Sequence, residues 1–154
     1  PKQQTCNMFD NFSLNSSVWI YTANKVLDSN QISLINKRLN EFIPKWAAHG
    51  SKLYGAHQVV ENRFVILCVD GEQMAASGCS IDSSVKVIKE IGQEIGIDFF
   101  NRMNMIVNDN GTLKTAHISE LNNFLDCKVY NPMISTLNEL NDNWLIPVES
   151  SPFV

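Results

Sequence analysis

The sequence predicts an α+β domain of the ferredoxin-like (split βαβ) class, with an antiparallel sheet, two helices on one face and a C-terminal helical extension. The main observation is the order of periodic segments, which is β-α-β-β-α-β. A second is the almost unbroken apolar run in RFVILCVD (63–70), which is typical of a central strand covered on both faces. A third is the length of 154 residues with 44% hydrophobic content, which suits one folded domain.

The first strand and helix are marked by local signals. VWIYTANKVL (18–27) is rich in branched and aromatic residues and predicts a strand. Asp28 precedes Gln31 by three residues, which is the spacing of a capping box. Apolar residues then recur at helical spacing as far as Trp46. Pro44 predicts a kink or a restart because it has no backbone N–H, and Gly50 is a plausible stop.

The next elements follow in the same way. LYGAHQVVE (53–61) and RFVILCVD (63–70) predict two strands joined by a turn near Glu61 and Asn62. A second helix is predicted from Ser80 or Ile81 to Ile95, because isoleucine and valine recur on one face and Gly96 follows. FFNRMNMIVN (99–108) and TLKTAHI (112–118) predict strands on either side of the turn signal DNG.

The C-terminal part predicts two helices, from about 119 to 125 and from about 132 to 144, placed against the open face or edge of the sheet. The predicted domain is 8–154, with a plait core at about 18–118 and a helical tail at about 119–145. Residues 1–7 precede Met8 and carry no apolar signal segment, so a disordered or cloning-derived stretch is expected there.

The composition of the chain argues against several classes of binding partner. A net charge of −4 with no basic stripe argues against nucleic acid. No apolar run approaches the roughly 20 residues of a membrane helix, so no membrane insertion is expected. Four cysteines without a CxxC pair favour a reducing, cytoplasmic setting, with Cys68 as a buried small residue. His57 and His117 lack ligand-spaced partners, so neither a metal nor another cofactor is predicted.

Four segments together resemble a small bacterial family of uncharacterised proteins that are often labelled "ABC transporter ATPase". The segments are WAAHG (46–50), NRFVIL (62–67), ASGCSIDSSV (76–85) and FFNRM (99–103). The resemblance runs from about Met8 to NWLIPVESS (143–151), which is nearly the whole chain. It implies a transporter-associated ATPase as one alternative function, while no activity is established for the family.

The ATPase label conflicts with the chemistry that nucleotide binding needs. A P-loop requires G-x-x-x-x-G-K-[ST], with glycines that let the backbone approach phosphate and a lysine that binds it. None of the seven glycines stands in that pattern, and Gly50 is followed by Ser51 and Lys52 in the wrong order. We therefore expect no ATP turnover.

Cys79 is the strongest candidate for covalent chemistry. It is predicted at a helix N-terminus, where the helix dipole and free N–H groups stabilise a thiolate. His49 in WAAHG could act as its base, although a histidine in the last turn of a helix also has a purely structural use. Asp82 competes for the same positive helix end. The favoured interpretation is that Cys79 packs beneath the loop as a small residue.

The same stretch has a second interpretation as an anion or ligand site. Ser77, Gly78, Ser80 and Asp82 bring hydroxyls, close backbone approach and capping groups to a helix start. Two arginines flank predicted core strands and could add positive charge, namely Arg63 and Arg102. Ion pairs of these arginines with Asp70, Asp82 or Asp98 are expected more than substrate contacts.

These observations favour a non-catalytic cytoplasmic module that binds a small ligand or a protein. The alternative is a small thiol-dependent enzyme that uses Cys79 with His49. Because ferredoxin-like sheets often pair through edges or faces, a homodimer is also an expectation, on fold-level analogy.

Overall fold

The computed structural model describes residues 8–154, which form α-helices and antiparallel strands, so the predicted α+β class is confirmed. In chain order the elements are β1 (Ser17–Thr22), α1 (Ser29–Phe42), β2 (Ala47–Ala48), β3 (Ser51–Lys52), β4 (Gly55–Val60), β5 (Phe64–Val69), α2 (Gly78–Ile95), β6 (Asn104–Asp109), β7 (Thr112–His117), β8 (Lys128–Tyr130), α3 (Leu137–Asn143) and β9 (Leu145–Pro147). Two 3₁₀ helices span Ile43–Lys45 and Ile118–Phe124.

A three-stranded sheet in the order β1-β5-β4 forms the centre of the fold. Both neighbours run antiparallel to β5. All six residues of β5 are buried, as its apolar sequence predicts. The central position predicted for this strand is confirmed.

Helices α1 and α2 cover one face of this sheet. Successive side chains of a strand point to opposite faces, so alternate residues of β5 face the helices. These are Val65, Leu67 and Val69, which share one core cluster with Ile35 and Leu39 of α1 and with Ile88 and Ile91 of α2. The prediction that the two long helices share a face is confirmed.

The opposite face of the sheet packs on the C-terminal part of the chain. Phe64 of β5 contacts Tyr130 and Trp144, with ring centroids 4.9 and 4.8 Å away. Leu137 and Leu140 of α3 join the same cluster, so the predicted placement of the last helix on the open face is confirmed. Cys68 is buried there as well, as expected. Its burial, followed by the nearby charge of Asp70, raises the pKa of the Cys68 thiol to about 12.

The second sheet is where the structure departs from the expected topology. A ferredoxin-like plait would place β6 beside β1. In residues 8–154, β6 pairs with β7 and β8 instead, in a four-stranded sheet of order β7-β6-β8-β9. The predicted helical tail contains the 3₁₀ helix Ile118–Phe124 and α3, but also the strands β8 and β9, which the sequence prediction missed. Each has only three residues, too few for a periodic pattern.

Several local predictions are confirmed. Asp28 caps α1 and forms the capping box with Gln31. A 3₁₀ helix that contains Pro44 begins at Ile43, directly after α1 ends, so the restart predicted from the missing N–H of Pro44 is confirmed. Asn110 and Gly111 both have positive φ, at 53° and 96°, as a two-residue hairpin loop requires.

Asp70, directly after β5, forms hydrogen bonds to the segment that precedes β1. Its carboxylate accepts hydrogen bonds from the Ser13 hydroxyl (2.8 Å), the Ser13 backbone N–H (3.2 Å) and the Glu72 backbone N–H (3.1 Å). Burial opposes ionisation, but these hydrogen bonds outweigh it and hold the pKa of Asp70 below its usual value. Hydrogen bonds to a charged group are among the stronger ones in proteins.

Replacement of Asp70 by asparagine is expected to lower the free energy of unfolding by about 1–2 kcal/mol at neutral pH, since an amide cannot accept all three bonds. A lowered carboxyl pKa stabilises the fold above the unfolded-state value of about 3.9, and this gain is lost as pH falls through the folded-state value. Urea unfolding should therefore separate wild type from Asp70→Asn at neutral pH and bring them together in acid. Asp82→Asn, which makes the same change of charge at an exposed position, is the control and should change the free energy of unfolding little at neutral pH. A constant difference at every pH would contradict the assignment.

Candidate functional site

The start of α2 is organised by Ser77 and Ser80. The helix begins at Gly78, whereas the predicted start was Ser80 or Ile81, and Ser77 is its N-cap. The Ser77 hydroxyl accepts from the Ser80 N–H (3.2 Å), while the Ser80 hydroxyl accepts from the Ser77 N–H (2.7 Å). The Ser80 hydroxyl also donates to the Ser77 carbonyl (2.8 Å). Both side chains are thus used for capping, which leaves the suggested anion cradle without its two nearest hydroxyls.

Cys79 lies in the first turn of α2 and is exposed. The prediction that it packs beneath the loop is therefore wrong: the buried residue of this turn is Ser80. Asp82 is exposed on the same helix, and a methyl group added at Gly78 would meet no atom within 4 Å. The turn is open to solvent, as its small residues suggest.

His49 is not at the end of the first helix, which is a correction to the sequence prediction. Helix α1 ends at Phe42, and His49 with Gly50 forms the two-residue loop between β2 and β3. Both have positive φ, at 53° and 79°, which matches the hairpin turn that favours glycine and asparagine. The side chain of His49 is exposed.

The region after α1 and the start of α2 are neighbours through Trp46. Its indole Nε1 donates to the Ser80 carbonyl oxygen at 2.7 Å, and the side chain is buried. Even so, no hydrogen bond joins His49 to Cys79 anywhere in the described chain. The pairing of a thiol with a base, on which the enzyme interpretation depends, lacks a contact to support it.

Cys79 is expected to be alkylated by iodoacetamide in the folded protein, because its side chain is exposed. The His49→Ala variant should react at the wild-type rate, because no hydrogen bond joins the two side chains in residues 8–154. Mass spectrometry of tryptic peptides would give the rate, and the buried Cys68 should stay unlabelled until the protein unfolds. Rapid labelling at about pH 6 that slows in His49→Ala would favour the thiol enzyme instead.

The two arginines occupy different environments. Arg63 is buried, and its Nη2 donates to the Ala23 carbonyl (3.1 Å) and the Thr115 hydroxyl (2.7 Å). Burial lowers the pKa of its guanidinium. Arg102 is exposed, which corrects the prediction of a near-buried position. Within residues 8–154 neither arginine forms the expected ion pair; the salt bridges there involve Arg38 and Lys114.

A groove runs between β1 and β6, where a plait would have a strand pair. It has a volume of about 720 Å³ and is lined by all six residues of β1. Residues of α2 and of the loops around Asn101 and Ile134 also line it. Phe64, Tyr130 and Trp144 reach it from the second core cluster.

The edge of β1 that faces this groove is only partly paired. The Ala23 N–H donates to the Arg63 carbonyl on the β5 side. Because backbone groups alternate in direction along an antiparallel strand, the N–H and C=O groups of the odd-numbered residues of β1 bond to β5, and those of the even-numbered residues point away from it. The Val18 N–H donates to the Ser135 carbonyl (3.0 Å), and the Asn24 N–H donates to the Asp98 carbonyl (3.2 Å). Between these ends, Ile20 and Thr22 face the groove and find no backbone partner among the described residues.

The charge in the groove is of one sign. Its charged lining residues are Lys89 of α2 and Arg102, and no aspartate or glutamate lines it, although the chain has a net charge of −4. The Lys89 Nζ lies 5.5 Å from the centre of the Phe100 ring, within range of a cation–π contact. An anionic group in the groove would meet two cations and no carboxylate.

Of the residues singled out in the sequence, only Arg102 lines this groove. Cys79, His49, Ser77, Gly78, Ser80, Asp82 and Arg63 lie elsewhere. Sequence reasoning missed Lys89 and the open edge of β1, because whether a strand has a partner depends on tertiary structure. The one available sequence signal for the groove was the segment FFNRM, which combines two aromatic residues with an arginine.

The remaining histidines have local partners. His57 Nε2 lies 2.9 Å from the Asn36 Oδ1, and burial lowers the pKa of this histidine. His117 Nδ1 lies 2.8 Å from the Ser119 hydroxyl. Across residues 8–154 no three histidine, cysteine or acidic side chains gather closely enough to hold a metal ion.

None of the helices within residues 8–154 has both the length and the apolar character to cross a bilayer. Comparison of the chain with protein-family models, with curated proteins and with solved structures yields no match.

Proposed function

We propose that this chain is a non-catalytic binding module and that its ligand site is the groove between β1 and β6. The observation that carries the proposal is a groove of about 720 Å³ that combines apolar walls with two cationic lining residues, Lys89 and Arg102. This volume lies within the usual range for ligand sites, and apolar lining with a few polar groups is their usual composition.

The chemistry of the lining supports binding more than catalysis. The groove contains no cysteine, histidine, aspartate or glutamate among its lining residues. Those are the groups that most often supply nucleophiles and general bases. The exposed thiol of Cys79 is the observation that favours the alternative, a thiol-dependent enzyme. A second alternative, a transporter-associated ATPase, comes from the label of the family that the sequence resembles. The sequence contains no P-loop that would support it.

We also propose that β1, α1, β4, β5 and α2 form a ferredoxin-like core that is open at the place of its fourth strand. The sheet order β1-β5-β4 and the shared face of the two helices support this relation. On this proposal the groove is the position that β6 would fill in a closed plait. An opened plait would explain why a strand edge and a cavity occur together.

The proposal predicts that the anionic dye anilinonaphthalene sulfonate binds one saturable site in the groove. The double variant Lys89→Glu/Arg102→Glu should weaken dye binding about tenfold or more, since two attractions become repulsions at short range. Lys45→Glu/Lys86→Glu makes the same change of net charge at exposed positions outside the groove and should bind as wild type does. Fluorescence titration gives the affinities. Equal weakening by both pairs, or no saturable binding, would refute the groove as the site.

A further inference from the structure

The open edge of β1 and the charge of the groove together indicate a class of ligand. We propose that the groove receives an extended peptide segment that carries a carboxylate and that adds to β1 as a further strand. This inference rests on the proposed function, because it concerns the occupant of the same groove. Strand addition to an exposed sheet edge is a recurrent way of recognising peptides.

The backbone of β1 supplies the first argument. Ile20 and Thr22 direct their N–H and C=O groups away from β5, and no backbone group among residues 8–154 accepts or donates there. The edge is already used at both ends, by Ser135 at Val18 and by Asp98 at Asn24. The open stretch between them spans about 20 Å at the usual rise per residue, which is room for a short strand.

The walls of the groove supply the second argument. Residues of an added strand would alternate between two sides, as those of β1 do. Trp19 and Tyr21 face the core under α1 and α2, whereas Val18 and Ile20 face the core around Trp144. Both sides offer apolar contacts, from Ile81 and Val85 of α2 and from the aromatic residues Tyr130 and Trp144. Apolar side chains at alternate positions of the peptide would fill them.

The positive charge of the groove indicates which peptides it would bind. Lys89 and Arg102 both line the groove, so a segment with an acidic side chain or a C-terminal carboxylate would be complementary. A second copy of this chain, paired edge to edge through β1, would bring two more cations to the same place. Like charges across an interface oppose association, so the second copy is disfavoured.

Selection of a random heptapeptide phage library on the full chain tests the class of ligand. Enriched sequences are expected to alternate apolar or β-branched residues and to contain aspartate or glutamate. A synthetic consensus peptide should then compete with anilinonaphthalene sulfonate. If the dye binds the groove but no peptide is enriched, this inference fails while the proposed function stands. If decanoate competes and no peptide does, the ligand is a small amphiphilic acid and the inference is overturned.

Substitutions at Thr22 separate strand pairing from general contact. Thr22→Pro removes the N–H that faces the groove, and Thr22→Val keeps it at similar side-chain volume. The consensus peptide should bind Thr22→Val about tenfold more tightly than Thr22→Pro, by fluorescence polarisation. Lys89→Glu should weaken binding by about the same factor, and Lys86→Glu, outside the groove, should not. Equal affinity for the two Thr22 variants would overturn strand addition.

A readout in the wild-type chain covers the case in which Thr22→Pro does not fold. Saturation with the consensus peptide should slow hydrogen exchange at the Ile20 and Thr22 amides, while the Tyr21 amide, already bonded to β5, should change least. Peptide binding without added protection at Ile20 and Thr22 would show that the segment does not pair with β1.

Discussion

Replacement of Trp46 by alanine is expected to lower the free energy of unfolding by about 3–5 kcal/mol, the range for deletion of a large buried aromatic side chain. Trp46 is 2% exposed and lies in the core cluster beneath α1 and α2. Its ring is 5.4 Å from that of Phe42 and 6.1 Å from that of Trp19. Its indole N–H also holds the Ser80 carbonyl, so the substitution removes packing and a hydrogen bond at the start of α2.

Two further variants separate the contribution of ring packing to the free energy of unfolding from that of the indole hydrogen bond. Trp46→Phe keeps most of the ring contacts but removes the donor, and a loss of about 1–2 kcal/mol is expected. Gly55→Ala leaves Trp46 intact but places a methyl carbon 3.0 Å from its ring, so it should destabilise by pushing the indole. Urea unfolding followed by circular dichroism measures all three. A loss below about 1 kcal/mol for Trp46→Ala would contradict this account of the core.

The parts of the fold that local chemistry decides were predictable. Asp28 and Gln31 satisfy free N–H groups at the start of α1, and these residues are only three positions apart in sequence. The apolar run of β5 marks a strand buried on both faces, since every position must be apolar there. Pro44 ends α1 because of its own covalent structure. None of these features depends on a distant partner.

The choice of strand partner was not predictable from local pattern. β6 has the composition of a sheet strand whichever neighbour it takes, and it pairs with β7 and β8 rather than with β1. The three-residue strands β8 and β9 form on this edge with a register set by tertiary contacts. A single sequence contains no direct signal for such pairing, so the groove that it leaves could not be anticipated.

In the candidate site, too, the features that depend on neighbouring residues were predictable and those that depend on tertiary contacts were not. Serines before an apolar stripe predicted that α2 begins at Ser80 or Ile81, whereas the helix begins at Gly78, because several neighbouring polar residues can serve as caps on sequence grounds. The structure selects Ser77 with Ser80 as its capping-box partner. His49 was misassigned because the apolar period continued through Trp46, so the helix was expected to run on as far as Gly50, where the chain instead forms a hairpin. Arg102 was identified by its charge, but for an ion pair that it does not form among the described residues.

Gly92 connects the stability of α2 to the shape of the groove. A methyl group added at Gly92 would lie 2.6 Å from the Ile97 carbonyl oxygen and 3.3 Å from the Phe99 ring. The close approach arises because the Gly92 carbonyl accepts from the N–H groups of both Gly96 and Ile97, which folds the chain back over the helix. Gly96 has a φ of 72°, the left-handed conformation that ends many helices. The chain then runs directly into Phe99 and the lining loop of the groove.

Gly92→Ala is therefore expected to lower the free energy of unfolding by about 2–3 kcal/mol, because the backbone must move to admit the methyl group. Gly78→Ala is the matched control in the same helix, since nothing lies within 4 Å of its added carbon. There the change should be neutral or stabilising by up to about 1 kcal/mol, through helix propensity and a less flexible unfolded chain. Because the displaced backbone carries Phe99 toward the groove, Gly92→Ala should also weaken binding of anilinonaphthalene sulfonate, and Gly78→Ala should not. If both variants were equally stable and bound the dye equally, the close contact at Gly92 would not hold the groove loop in place.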